Sequence, residues 1–402
     1  MGTYWVRLTT DEPLIVGQAK ADSSFLTTIT YVPGRLLRGA WADWMIAQGK
    51  GDDITGITER TCIWNFFPSG EERQICYTSP FLLSSLTCKR EGGFHSEPEP
   101  DERGHGVLDA LLPELTYALL SERHGPAALP FAPRCTHKGC GDRLEVEKGF
   151  FTAYQDGQQI GYARSRSNYH AQTKVALSRQ RRAAQENMLY TVTALAPGSQ
   201  NRGSRRLAFL GRVCGDEESI CDLCQAVSII PIGALRQRGY GKVRAELTNA
   251  AGFGALQARL QRFNELVKEM WRDLARLFPK ASAKSPEGVY FSLDLLAPGV
   301  FQHKGIPSLV PTLAIAGQEI RPIFWLTRSD FASGWSTAWG LPKPTNMAAR
   351  AGSVYVFHWQ GDAASLIPAL EELEVRGVGR RCDEGFGECV VCHPFHQEVS
   401  ER

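Results

Sequence analysis

The chain has 402 residues, 43% of them hydrophobic and 22% charged, with a formal net charge of +2. That length accommodates two globular domains, and no run of eighteen apolar residues offers a membrane-spanning helix. The first residues are strand-like and lack the layout of a secretory leader, so the eleven cysteines are expected as metal ligands or buried thiols in a reducing cytoplasm.

Taken in chain order, Tyr4-Trp-Val-Arg-Leu-Thr-Thr alternates as a strand. The Pro33-Gly34 turn leads into an amphipathic helix with Leu37, Trp41, Trp44 and Met45 on one side. Residues 88–150 change character: Cys, His, Gly, Pro and acids surround one short helix at 107–120, as in an insertion. Strand character returns over 150–247, including an apolar run at 227–232. An amphipathic helix is expected at about 255–278, followed by a linker at 280–288. Residues 289–296 and 352–359 read as strands, 362–373 as a helix and 389–392 as the last strand. This order predicts an α+β protein with two ferredoxin-like (RRM-type) domains in tandem. The expected bounds are 1–250, with the Cys/His-rich insertion at about 88–150, then a connecting helix and linker at 251–284, and 285–402. In such domains a four-stranded sheet with helices on one face presents a platform for RNA.

Two glycine–arginine loops stand out. One runs Gly233-Ala-Leu-Arg236-Gln-Arg238-Gly239-Tyr-Gly241-Lys242, the other Gly377-Val-Gly379-Arg380-Arg381-Cys-Asp-Glu-Gly385-Phe-Gly387. Glycines clear side chains from the loop so that backbone N–H groups approach a ligand closely, and arginines supply planar donors suited to phosphate. Two copies in one chain point to a phosphate-rich polymer. Arg35 and Arg38 at a helix N-terminus would add one more phosphate contact. Between Gly161 and Cys214 there are ten Lys and Arg residues against one acid, Glu186, the charge pattern of a nucleic-acid contact. Within it, Lys174, Arg179, Arg181 and Arg182 are expected on a hairpin reaching over RNA, flanked by Tyr169 and Tyr190, which could stack on a base.

Cys135-Thr-His-Lys-Gly-Cys140 has the spacing of half a structural zinc site, and Cys88 and His105 are the best further ligands, with His137 competing for the histidine position. A Cys₃His zinc site would organise an insertion with little core of its own. Cys214, Cys221 and Cys224 offer three thiols but no obvious fourth ligand. Cys382, Cys389, Cys392, His393 and His396 form a further cluster, but strand alternation puts Cys389 and Cys392 on opposite faces. No Gly-x-Ser-x-Gly, Walker or His-Glu-x-x-His motif occurs, so no catalytic residue is assigned. His170 near Lys174 and Tyr169 is the one candidate for general acid–base cleavage of RNA, and it carries the alternative of a metal-independent endoribonuclease that processes a precursor RNA.

Pro33-Gly34-Arg35-Leu-Leu-Arg38-Gly39-Ala40 resembles a signature of the RAMP proteins of CRISPR effector complexes, and both glycine–arginine loops are similar to the RAMP glycine-rich loop. Met188-Leu-Tyr190, Gly334-Trp335, Gly340-Leu-Pro-Lys-Pro344, Gly352-Ser-Val-Tyr-Val-Phe357 and His393-Pro-Phe-His396 extend the resemblance to the two-domain RAMP subunit of type III-D complexes. Arg35 departs from the family, which often has a small serine there; Lys174 stands where a family histidine is expected. The resemblance implies a non-catalytic subunit that caps the 5′ handle of the crRNA in antiviral defence. It also implies as partners the large signalling subunit and backbone RAMP subunits, with target RNA met indirectly and no membrane contact.

Overall fold

The computed structural model describes residues 2–17, 25–70, 74–95, 103–125, 127, 131–157, 159–178, 180–197, 207–278, 287–336 and 340–398. The first unit is a four-stranded antiparallel sheet ordered Val243–Thr248, Gly2–Thr10, Ala208–Gly215, Cys62–Ser69. Helix Gly34–Ala47 joins the first strand to Cys62–Ser69, and helix Glu217–Ile229 joins Ala208–Gly215 to Val243–Thr248, the βαββαβ order of a ferredoxin-like unit. Leu37, Trp41, Trp44 and Met45 form the buried face of the first helix, as their spacing predicts, and meet Val6, Leu8 and Phe209 of the sheet. The run at 227–232 was expected as strand but is the end of a helix and its exit. Asp216 caps that helix by accepting from Ser219 N–H at 2.9 Å, and its apolar residues serve the helix stripe Ile220, Leu223, Cys224 and Val227.

The second sheet repeats the order as Cys389–Val391, Val289–Leu295, Val354–Trp359, Phe324–Leu326, all antiparallel. Here two short hairpins, Phe301–His303 with Ile306–Ser308 and Leu313–Ile315 with Gln318–Ile320, replace the helix between its first two strands. The helix Leu256–Leu274, which precedes the sheet, packs on it through Leu260, Phe263 and Val267. Helix Ala363–Arg376 buries Leu366 and Leu370. The linker expected at 280–288 lies almost wholly outside the described residues.

All that lies between strands Cys62–Ser69 and Ala208–Gly215 is inserted into the first unit, a longer segment than its cysteines suggest. It holds a sheet of Ile75–Pro80, Phe150–Asp156 and Gln159–Ser165, and a smaller one of Val107–Asp109, Ser85–Cys88 and Leu144–Val146. Helix Leu111–His124 and the hairpin Tyr169–Ser178 with Ala183–Leu195 complete it. The insertion was expected to have little core of its own, and its apolar residues pack into a shared one. Tyr77, Phe81, Phe94, Leu111 and Phe151 belong to one continuous apolar cluster with Phe291, Phe357 and Phe395 of the second unit.

This packing also corrects the expectation of an open sheet platform. On the face of the first sheet away from its helices, Trp64 and Phe67 are buried; Phe67 meets Leu296 and Val390. Arg212 on that face forms a buried ion pair with Glu388 at 3.1 Å. In the second sheet Val289–Leu295 is buried from its second residue to its end. The central strands Ala208–Gly215 and Val289–Leu295 thus offer bases almost no exposed surface, so ligand contacts fall to loops, hairpins and the seam.

Candidate functional site

The two glycine–arginine loops adopt one backbone conformation at a constant sequence offset. Leu235 and Arg381 are left-handed, with φ of 58° and 62°; a single 3₁₀ turn follows, Arg236–Arg238 or Cys382–Glu384; then Gly239 and Gly385 are left-handed. Gly241 N–H donates to Pro13 O at 3.0 Å, and Gly387 N–H to Pro298 O at 2.9 Å. A Cβ on Gly241 would stand 2.1 Å from Ile232 O, and one on Gly387 2.1 Å from Val378 O, so neither position admits a side chain without displacement of the backbone. Gly233 therefore corresponds to Gly379. Gly377, read from sequence as the start of the second loop, is instead the left-handed cap of helix Ala363–Arg376. The shared Gly-x₅-Gly-x-Gly spacing was the sequence signal for this alignment.

The backbones match, but the charges do not. In the first loop Arg236, Arg238 and Lys242 are exposed. Arg236 pairs with Asp43 at 3.2 Å, both about half exposed, and Arg238 donates to the Tyr190 hydroxyl at 3.0 Å. Lys174 lies 4.6 Å from the centre of the Tyr240 ring, whose hydroxyl donates to Gln172 Oε1 at 2.8 Å. The first loop is thus packed against the hairpin through buried Tyr240 and partly exposed Tyr190, with cations around the contact. Arg181 and Arg182 are exposed in the hairpin turn, with Arg182 at φ 51°, and Tyr169 is exposed at its base. Arg179 lies outside the described residues. His170 stands 2.9 Å from Gln172 Nε2, while Lys174 is engaged with Tyr240 and not with His170.

The second loop is packed into the seam. Gly385, Phe386, Gly387 and Glu388 are buried, and Arg381 donates to Glu384, to Ala332 and Pro344 carbonyls and to Asn346. Burial would raise the Glu384 carboxyl, but hydrogen bonds from Arg381 and Lys343 outweigh it and hold its pKa at about 2. Arg381 is therefore a strut, and Arg380, which donates to Gln302 at 2.6 Å, is the exposed cation of this copy. The N-terminus of helix Gly34–Ala47 lies against this loop. Asn65 Oδ1 accepts from Gly34 N–H at 3.3 Å while its amide donates to Gly385 O at 3.2 Å. Arg38 pairs with Asp383 at 3.6 Å, and Arg35 lies 5.8 Å from the Phe386 ring. Sequence reasoning missed Asn65, which joins the two motifs.

Beside this junction is a cleft of about 450 Å³. Its walls include Tyr31, Phe67 and Phe150, with Phe67 and Phe150 stacked at 5.3 Å, and the cations Arg328 and Arg350. Glu147 Oε2 is buried in its wall without a hydrogen-bond partner among the described residues. No local motif announced this cleft, because its residues come from seven separate segments of the chain.

The insertion brings Cys88, His105, Cys135 and Cys140 together, with one ligand atom from each lying within 4.8 Å of the others. Cys88 Sγ and Cys140 Sγ are 3.6 Å apart, as are Cys135 Sγ and His105 Nδ1. Burial would raise the Cys88 thiol, but N–H groups of Glu91 and Arg90 donate to its sulfur and hold its pKa below the ordinary value. His137, the competing ligand, stacks on His105 at 4.0 Å instead. This cluster could hold a metal ion, and it is the one such group found among the described residues. Cys214, Cys221 and Cys224 do not converge, and neither do Cys382, Cys389 and Cys392 with their neighbouring histidines. His396 instead bridges Asp109 at 2.9 Å and Asp294 at 3.0 Å.

Among solved structures, the chain is similar to a chain of the Type III-B Cmr-beta bound to cognate target RNA and AMPPnP. Identity is 11%, the TM-score is 0.40, and the match covers 88% of this chain and 86% of that one. It is similar also to a chain of the Csm3-Csm4 subcomplex in the type III-A CRISPR-Cas interference complex, at 11% identity and TM-score 0.35, covering 89% and 94%. Comparison with curated proteins gives no match. The family model described as CRISPR-associated protein (Cas_Cmr3) matches residues 168–394, more than half of the chain, from the hairpin through both glycine–arginine loops to the buried C-terminal segment. On that match the chain belongs to the Cas_Cmr3 family of CRISPR-associated proteins and is a RAMP-type protein.

Proposed function

We propose that this protein is a non-catalytic RNA-binding subunit of a type III CRISPR effector complex, which caps and anchors the 5′ handle of the crRNA. The observation that carries this reading is the group of exposed cations on the first loop, Arg236, Arg238 and Lys242, set against the hairpin at Tyr190 and Lys174, with Arg181 and Arg182 exposed at the hairpin turn. Arginine and lysine there supply phosphate contacts and most of the affinity. Arg380 and the helix N-terminus at Arg35 and Arg38 supply a second, smaller set at the seam. Sequence preference falls to the cleft, where an extruded base would meet the partly exposed Tyr31 and Phe150 beside the orphan oxygen of Glu147. The large signalling subunit and backbone RAMP subunits are the expected neighbours, with target RNA met through them.

The Cys₃His cluster fits zinc. Zn–S bonds of about 2.3 Å in a tetrahedron set sulfurs about 3.8 Å apart, close to the 3.6 Å between Cys88 and Cys140. Zinc there would be structural, closing the loops of the insertion onto one another. The test of the RNA reading is binding of the purified chain to a crRNA carrying its handle, with scrambled RNA and DNA as controls. Arg236→Ala with Arg238→Ala should weaken binding and lower the salt slope by about 1.4, since each lost contact to single-stranded RNA removes about 0.7. An unchanged affinity and slope would take the loop out of the RNA site.

A further inference from the structure

We propose that the metal cluster organises a second RNA contact, a cationic recess that takes phosphates of a single strand. The recess, about 480 Å³, is lined by Lys89, Arg90, Asp142 and Arg143. Its cations sit on the two loops that the cluster joins: Lys89 and Arg90 directly follow Cys88, and Arg143 follows Cys140 by three residues. The backbone locks those loops together. Lys89 N–H donates to Arg143 O at 3.2 Å, Cys135 N–H to Asp142 O at 2.9 Å, and Cys88 pairs with Leu144 in the small sheet.

Arg90 is paired with Asp142 at 3.0 Å, which leaves two cations over. Lys89 and Arg143 are exposed and have no ion pair or side-chain hydrogen bond among the described residues. Like-charged side chains held beside one another without a counter-charge repel, so an anion between them is stabilised by both. Among the described residues no apolar or aromatic side chain lines the recess, whereas a protein partner would be expected to seat such an anchor there. The guanidinium fork of Arg143 and the ammonium of Lys89 instead suit phosphate oxygens. The cluster is thus coupled to binding: without metal, only the backbone hydrogen bonds hold these loops, and the cations are held together less firmly.

The experiment measures binding of the full chain to labelled single-stranded RNA over a salt series, for wild type and for Lys89→Gln with Arg143→Gln. The double variant, both positions being exposed, should fold normally and lower the log–log salt slope by about 1.4, for two released phosphate contacts. Removing the metal with a chelator should lower the wild-type slope similarly and leave that of the double variant unchanged. An unaltered slope in the double variant overturns the proposal. So does a variant that keeps its RNA slope but fails to bind an acidic protein subunit, since the recess would then be a protein dock. Arg236→Ala with Arg238→Ala separates this proposal from the handle reading. That variant loses its own increment whether or not the recess is intact, and if it alone is silent the handle reading falls while the recess stands.

Discussion

Glu388 shows how much of this molecule hangs on single buried charges. It accepts from Arg212 and from Asn65 N–H in the seam between the two sheets. Burial raises its carboxyl, against the pull of Arg212, so the pair holds its charge only while both partners are present. Arg212→Ala should therefore destabilise the fold by about 3–5 kcal/mol in urea unfolding, because it leaves a carboxylate buried and unpaired. A loss below about 1 kcal/mol would mean that the pair is not buried as described. His396 gives the matching pH prediction. Burial alone would lower the imidazole, but Asp109 and Asp294 outweigh it and push the pKa up to about 10, from an ordinary value of 6.5. The folded chain then holds a proton that the unfolded chain releases. Its contribution is complete below pH 6.5 and is lost as pH rises through about 10. His393 acts in the opposite direction: burial lowers its pKa, so it costs stability as pH falls below 6.5. Unfolding free energy should fall from pH 7 towards pH 10 in the wild type and more weakly in His396→Gln, and equal slopes would exclude the bridge.

At the scale of elements, the paired glycine–arginine loops divide their work. The first exposes its cations and the second buries its glycines, so their variants should fail differently. Arg236→Ala with Arg238→Ala should weaken RNA binding at unchanged stability. Arg381→Ala should instead lower the melting temperature, because Glu384 loses its main partner. A reversal of these two outcomes would invert the assignment. The loops were legible because glycine spacing is local; their different roles were not, because these depend on which loop meets Asn65 and Arg38 across the seam. The same distinction runs through the elements. The amphipathic stripes of helices Gly34–Ala47 and Leu256–Leu274 could be read from spacing alone. The run at 227–232 misled because a short apolar stretch suits a strand and a buried helix end equally. The four metal-cluster residues could be named because cysteine and histidine are rare and chemically distinctive. The cleft could not, because Tyr31, Phe150 and Arg350 meet only through tertiary packing.

For the whole molecule, the insertion is part of the framework. Its aromatic residues share a core with the second sheet, and Leu120 of its helix packs with Trp271 and Phe278. Deleting residues 88–150 should abolish cooperative unfolding of the remainder, read as the absence of a single thermal transition; a sharp transition in the deletion protein would show that the units fold separately. Zinc should be found at about one per chain in the purified protein, since the four ligands make one closed site. Folded, metal-free protein would refute it. These features fit the proposed role of a protein that holds RNA through exposed cations on its first loop and hairpin. The most direct measurement is binding of the purified chain to labelled crRNA carrying its 5′ handle, read together with the integrity of that RNA. The account predicts tight binding that prefers the handle over scrambled RNA, falls steeply with salt and leaves the RNA whole; cleavage within the repeat, or equal binding to scrambled RNA, would contradict it.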